Sequence, residues 1–415
     1  QRRAAFKKHL GQISTAVITA EYNPFHKGHR WQLEQVRAAG ASHVAVVMSP
    51  DFTQRGTPAI FPKRLRAQAA LQNGADLVLE LPVCYALAGA QRFAFGAVQL
   101  AAAMGCVDLL AFGAEDADLV QLRQACTALQ QEEVNQTIRQ LLPSGITFAK
   151  ARERAVAAVY GEETALLLQK PNNILAIEYL CQLEKLPDAH IQPLALGRIG
   201  NTHDGEPVGE FASASFLRGL MLEGRWEQAQ QYLPQNVWQL YRQAQQDGQL
   251  ADLQLGERAV LSALRRMEQK EMAQLADLSE GLENRLYRAS REACSLEQLY
   301  AAVKSKRYPL ARVRRLVMNA FLRLPAQMQT MPPPYLRVLG MNERGKQILS
   351  AMKRTASLPV STSLMKLARS TQAARQWAQV EAAACDQYSI FCRQMQASGS
   401  DWSLPFVSLL GKERE

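Results

Sequence analysis

No apolar run in the 415-residue sequence approaches the length of a membrane span, and its first dozen residues are basic without the apolar stretch of a secretory leader. A soluble, cytoplasmic chain with no membrane partner is therefore expected. The seven cysteines are scattered, with no C-x-x-C pair and no histidine cluster beside them. This spacing argues against zinc fingers and disulfide frameworks and leaves reduced thiols, mostly buried. Repeats and low-complexity tracts are missing too, so neither a solenoid nor a disordered chain is expected. Acidic residues are nearly missing from one stretch. Between Ala301 and Val380, Glu343 alone stands against fifteen lysines and arginines, a local charge of +14 in a chain whose total is +10. A surface selected for solubility mixes both signs, so a polyanionic partner is expected, with a solvated basic helical surface as the alternative.

What is present suits a globular protein of two domains, with 47% hydrophobic and 21% charged residues. Short β-rich runs alternate with helical patterns in the first half. Strands are expected at Ser14 to Ala20, His43 to Met48, Leu77 to Leu81, Val107 to Gly113 and Ile191 to Ile199. Helices are expected at Arg30 to Ala38, Lys63 to Gln72 and Phe93 to Met104. Continuous apolar content such as Val44-Ala45-Val46-Val47-Met48 marks strands buried on both faces of a parallel sheet. The pattern predicts an α/β, Rossmann-like doubly wound domain. Beyond about residue 215 strand signals fade into a helical pattern that runs to the Pro332-Pro333-Pro334 break. The expected division is a basic extension (1–13), an ATP-binding catalytic domain (14–240) and a basic, mainly α-helical domain (241–415).

In open α/β sheets the turn leaving the first strand is the usual phosphate site. Here it reads Glu21-Tyr22-Asn23-Pro24-Phe25-His26-Lys27-Gly28-His29. Gly28 lets the backbone approach a phosphate, and the following helix start presents free N–H groups and partial positive charge. His26 and His29, at i and i+3, share one face and can donate to phosphate oxygens, with a charge that follows that of departing pyrophosphate. A structural turn whose histidines only cap the helix is the alternative.

The H-x-G-H loop resembles the signature of the nucleotidyltransferase and class I aminoacyl-tRNA synthetase superfamily. Further stretches narrow the resemblance to the bacterial tRNA(Met) cytidine acetate ligase family. They include Phe52-Thr53-Gln54-Arg55-Gly56, Asp76 to Pro82, Phe112-Gly113-Ala114-Glu115, Lys170 to Leu175, Ser213-Ala214-Ser215 with Arg218, Ser305 to Tyr308, and Tyr335 to Asn342. Three positions depart from the usual family residues: Pro50 and Ala176, where Gly is common, and Ser215, where Thr is.

The resemblance implies ATP contacts along Thr19, Ala20, Glu21, Tyr22, Asn23, Pro24, Phe25, His26, Lys27, Gly28, His29, Arg30, Trp31 and Gln32, then at Gly113, Asn172 and Arg198. Local chemistry leaves alternatives at several of these. Gly113 could serve a turn, Asn172 could cap a helix, and Arg198 could be a surface residue. Ser213, Ser215 and Arg218 resemble a triphosphate clamp, with a plain N-cap at Ser213 as the alternative. Lys63 and Arg66 could face solvent or substrate. His26 and His29 are the expected catalytic donors.

The resemblance also implies two chemical steps, acetyl-adenylate formation from acetate and ATP, then acetyl transfer to the wobble cytidine of elongator tRNA(Met). Mg²⁺ would accompany ATP, and no dedicated metal-binding residues are expected. Lys304, Lys306, Arg307, Arg312, Arg314 and Arg315 would hold the tRNA backbone. The competing functions are a small-molecule adenylyltransferase and a non-catalytic tRNA-binding protein.

Overall fold

A computed structural model of the chain describes residues 14–199, 206–279 and 281–411; the basic extension 1–13 lies outside these residues. Five parallel strands, β1 (Thr15–Ala20), β2 (His43–Met48), β3 (Leu77–Glu80), β4 (Val107–Ala114) and β5 (Gln192–Gly197), stand in the order β5-β4-β1-β2-β3. All five expected strands are present, each within two residues of its expected limits. The crossovers include α1 (Lys27–Ala38), α2 (Lys63–Gln72), α3 (Ala90–Met104) and α4 (Pro171–Glu184). The second half contributes α5 (Ala214–Leu222), α6 (Leu310–Leu322), α7 (Glu343–Thr355) and α8 (Gln372–Tyr388).

Strand alternation divides the core into two layers. Val17, Ala45, Val47, Leu110 and Phe112 face one layer, whereas Ala16, Ile18, Val44, Val46, Leu109 and Ala111 face the other. Because helices cover both faces, the strands read as continuous apolar runs. β1 pairs with β2 on one side and β4 on the other, which places the reversal of strand order between β1 and β4. The carboxyl ends of these two strands therefore flank the crevice in which such folds bind ligands.

The expectation that strands end near residue 215 is corrected by β6 (Leu336–Met341), which runs antiparallel to β3 with Leu77 opposite Met341 and Val78 opposite Gly340. Two short strands, β7 (Val360–Ser361) and β8 (Val407–Ser408), pair with β6. β6 was hidden because a six-residue apolar run inside a basic helical stretch has no local pairing signal; its partner lies about 260 residues earlier. The sheet thus draws strands from both halves of the chain.

A third apolar cluster lies in the helical half and reaches the first. Val260, Leu286, Leu299, Val313, Leu316 and Phe391 pack with Phe52, Val83 and Leu87. At this junction Gly56 has φ +79°, and a Cβ there would stand 2.4 Å from the backbone of Arg314 and Arg315. Glycine is required for both reasons.

Lys63 and Arg66 are both buried and bonded within the protein. Arg66 is fully buried and donates to the carbonyls of Phe61, Glu21, Ser49 and Pro50. Lys63 is buried against Glu80 at 2.6 Å and Asp401 at 3.0 Å. Arg337 of β6 meets the same two carboxylates, Asp401 at 2.8 Å and Glu80 at 3.1 Å. This ion network fastens the chain's last hundred residues to β3 and α2.

Candidate active site

β1 ends with Thr19 and Ala20, and the chain then turns sharply into α1. Tyr22 is buried in the left-handed backbone region at φ 49°. The turn is held from several sides. The Asn23 side chain accepts from Ile60 N at 2.7 Å, the Phe25 N–H donates to the Tyr241 hydroxyl at 3.3 Å, and Arg218 donates to the Asn23 carbonyl at 2.7 Å.

His26 is the N-cap of α1. Its Nδ1 accepts from Gly28 N at 3.1 Å, and Nδ1 of His29 accepts from His26 N at 3.2 Å, which closes a reciprocal capping box. The rings stack 3.7 Å apart. A Cβ on residue 28 would stand 2.9 Å from the His26 ring, so Gly28 makes room for the imidazole that caps it. Capping and ligand binding are therefore not alternatives. With both Nδ1 atoms accepting backbone N–H groups, each neutral ring carries its proton on Nε2, which is left available to donate.

In the ligand-free state the histidine charges start from neutral rings. Burial, with Arg198 and Arg218 nearby, lowers the His26 pKa to about 3. Burial, the His26 ring and Arg198 hold His29 well below its ordinary value. Both rings are neutral donors near pH 7.

Glu21 is partly buried. Its Oε2 accepts from Gln54 N at 2.8 Å and from Ser49 Oγ at 3.2 Å, and burial raises its carboxyl pKa. It joins the β1 turn to the Phe52–Gly56 loop.

Across the crevice, Arg198 follows β5 and donates to Asn172 Oδ1 at 2.6 Å. The Asn172 side chain donates to Glu115 Oε1 at 2.7 Å, while Glu115 Oε2 accepts from Asn173 N at 2.8 Å at the start of α4. A Cβ on Gly113 would stand 3.4 Å from Arg198 Cγ and 3.7 Å from Gln32 Nε2. Gln32, Gly113, Asn172 and Arg198 thus converge at the carboxyl ends of β4 and β5. No local pattern marks Glu115 for this role, because it caps α4 across 58 positions of sequence.

Ser213 caps α5 by accepting from Phe216 N at 3.1 Å. Ser215 Oγ accepts from Arg218 at 2.9 Å and also contacts the Arg55 guanidinium. Burial, with Arg55 and Arg314 nearby, lowers the Arg218 pKa to about 10. Other expected contacts lie toward the edge. Lys27 pairs with Glu210 at 3.0 Å, Arg30 lies 3.8 Å from Glu34 along α1, and Trp31 is half-buried.

The six basic residues expected to meet tRNA divide into two groups. Lys304, Lys306 and Arg307 are exposed in the turn before α6. Arg312 is held by Asp277 at 3.3 Å, Arg314 lies over the Tyr300 ring at 5.7 Å, and Arg315 donates to the Gln54 carbonyl at 3.1 Å. Arg314 and Arg315 lie at the junction of the two halves, against Gly56 and Gln54, while Arg312 is held within the helical half.

The family model for HIGH nucleotidyl transferases matches residues 13–401. The tRNA(Met) cytidine acetate ligase of Thermoanaerobacter sp. (strain X514) is 36% identical over 399 residues, covering 94% of this chain and 99% of that one. The ligase of the same name from Thermotoga maritima is 34% identical over 364 residues, covering 83% and 85%. The crystal structure of apo Thermotoga maritima TmcAL superposes with a TM-score of 0.91 at 31% identity, covering 96% of this chain and 100% of that one. The same protein bound with alpha-thio ATP superposes with a TM-score of 0.89.

Proposed function

The chain belongs to the tRNA(Met) cytidine acetate ligase family, and we propose that it acetylates the wobble cytidine of elongator tRNA(Met) using acetate and ATP. The observation that carries the reading is the pair of neutral capping histidines at the reversal of strand order. They present Nε2 donors beside Arg198 and Arg218, neither of which has a carboxylate within ion-pair distance among the described residues.

An acetate oxygen attacks the α-phosphorus of ATP. The bond from that phosphorus to the bridging oxygen breaks, its electron pair stays with pyrophosphate, and acetyl-adenylate remains. Negative charge grows on the α-phosphate oxygens and the leaving group, where Nε2–H of His26 and His29 stabilise it without first having to ionise. The exocyclic amine of the cytidine then attacks the acetyl carbon, and the C–O bond to AMP breaks. AMP leaves with that electron pair while the amine nitrogen releases one proton. No residue becomes acylated; the chain acts by positioning and charge stabilisation.

ATP would lie along Thr19 to Gln32, with Gly113 and Asn172 toward its nucleoside end and Arg198, Ser213, Ser215 and Arg218 toward its phosphates. Mg²⁺ would travel with ATP, held mainly by phosphate oxygens. Lys304, Lys306 and Arg307 are the most accessible contacts for the tRNA backbone. Among the described residues no helix is long and apolar enough to cross a membrane, and a cytoplasmic site of action is part of the proposal. The test is to incubate elongator tRNA(Met) with the protein and labelled acetate. N4-acetylcytidine at the wobble position is expected with ATP, and acetylation from acetyl-coenzyme A without ATP would contradict the reading.

A further inference from the structure

We propose that Arg55 and Arg314 join Arg218 to form the seat of the departing pyrophosphate, so that the helical half of the chain contributes a cation to the nucleotide site. The inference rests on reading the β1 turn as an ATP site and adds two residues to it, one from each half.

Arg55 and Arg218 both point at the Ser215 hydroxyl. A single hydroxyl neutralises neither guanidinium, and among the described residues no carboxylate lies within ion-pair distance of either. The Arg55 backbone leads directly into Gly56, whose Cα abuts the Arg314 main chain so closely that an added Cβ would stand 2.7 Å from Arg314 Cβ. Arg314 is half-buried, with its guanidinium against the Tyr300 ring and its buried Nε donating to no partner among the described residues. Three cations from three segments thus gather at one edge of the β1 turn. Mutual repulsion of this kind is costly unless an anion joins the group. Burial first, then Arg55 and Arg314, lower the Arg218 pKa, while Glu21, itself bonded to Gln54 N and Ser49, opposes them without forming an ion pair.

A polyphosphate fits the site's chemistry. When the bond to the α-phosphorus breaks, the leaving group gains a negative charge on its bridging oxygen. Guanidinium groups match phosphate oxygens with paired donors. Arg315 has a different task. It donates to the Gln54 carbonyl while Gln54 N donates to Glu21, so it positions the Arg55 loop without touching the ligand.

Calorimetry on the full chain with inorganic pyrophosphate and with AMP tests the proposal. AMP shares the nucleoside and α-phosphate but lacks the leaving group. Arg55→Ala and Arg314→Ala should each weaken pyrophosphate about 10-fold or more while AMP affinity changes less than about 2-fold. Arg314→Lys, which keeps a charge and an apolar stem, should restore much of the loss and serves as the readout if Arg314→Ala lowers the melting temperature. Unchanged pyrophosphate affinity in the variants, or equal weakening of both ligands, overturns the proposal. Wild-type protein that binds neither ligand contradicts the ATP reading itself and this proposal with it.

Discussion

Lys63 and Arg337 share two carboxylates deep between β3 and β6, whereas Arg55 and Arg218 share one serine hydroxyl at the edge of the β1 turn. Both groups gather cations from distant parts of the chain, but among the described residues only the first binds them in direct ion pairs, Glu21 acting on Arg218 from a distance. Taking a charge out of water is expensive, and paired carboxylates offset that cost permanently. At the turn Arg55 is exposed, Arg218 and Arg314 are half-buried, and none of the three is in a direct ion pair among the described residues, which suits a place where an anionic ligand comes and goes. The difference distinguishes cations that hold the molecule together from cations kept ready for chemistry.

The largest expected effect follows from breaking the paired group. Asp401→Asn leaves Lys63 and Arg337 with Glu80 as their close carboxylate and should cost about 3–5 kcal/mol of stability in denaturant unfolding. Arg55→Ala, at the turn, should change stability by no more than about 0.5 kcal/mol. Equal losses in the two variants would remove the contrast.

The next effect sharpens the contrast at the histidines. His26→Asn keeps an N-capping side chain but loses the Nε2 donor, so adenylate formation should fall about 100- to 1000-fold with little change in melting temperature. His26→Ala should lose the cap as well, at a further cost of about 1 kcal/mol. Activity losses that merely track stability in both variants would reduce His26 to a structural cap.

A pH effect of intermediate size follows from the neutral His26. Its folded pKa of about 3 lies below the ordinary value of 6.5, so the unfolded chain binds the extra proton first as pH falls. Stability is therefore fully present above pH 6.5 and declines as pH drops toward 3, by at most about 1.4 kcal/mol per pH unit for one histidine. His26→Asn should flatten the dependence between pH 6.5 and 5. An unchanged slope in that variant would show that His26 does not cause it.

Much of this arrangement was legible in the sequence. The five parallel strands and the H-x-G-H turn were visible because buried strands are continuous apolar runs and the loop directly follows the first of them. The paired ion network was not, since Lys63 and Asp401 are 338 positions apart and a charged residue such as Arg337 inside a strand carries no sign of its partner. The sequence also suggested a choice between capping and ligand binding at His26, whereas the two ring nitrogens allow both at once. The basic stretch showed its charge but not its division. Arg312 and Arg315 are occupied within the fold, while Lys304, Lys306 and Arg307 are exposed.

The smallest expected effect concerns that division. Changing Lys304, Lys306 and Arg307 together to Ala should lower the salt slope of tRNA binding by roughly two to three and leave adenylate formation intact. A folded triple variant with the original slope would show that these residues form a solvated surface.

Acetate-dependent exchange of labelled pyrophosphate into ATP, without tRNA, tests the central claim most directly. The wild-type chain should exchange label only when acetate is present. His29→Gln, which can keep the back-bond to His26 N while removing the imidazole donor, should lose exchange about 100-fold or more at unchanged melting temperature. Exchange that ignores acetate, or that persists at the wild-type rate in His29→Gln, would contradict the account.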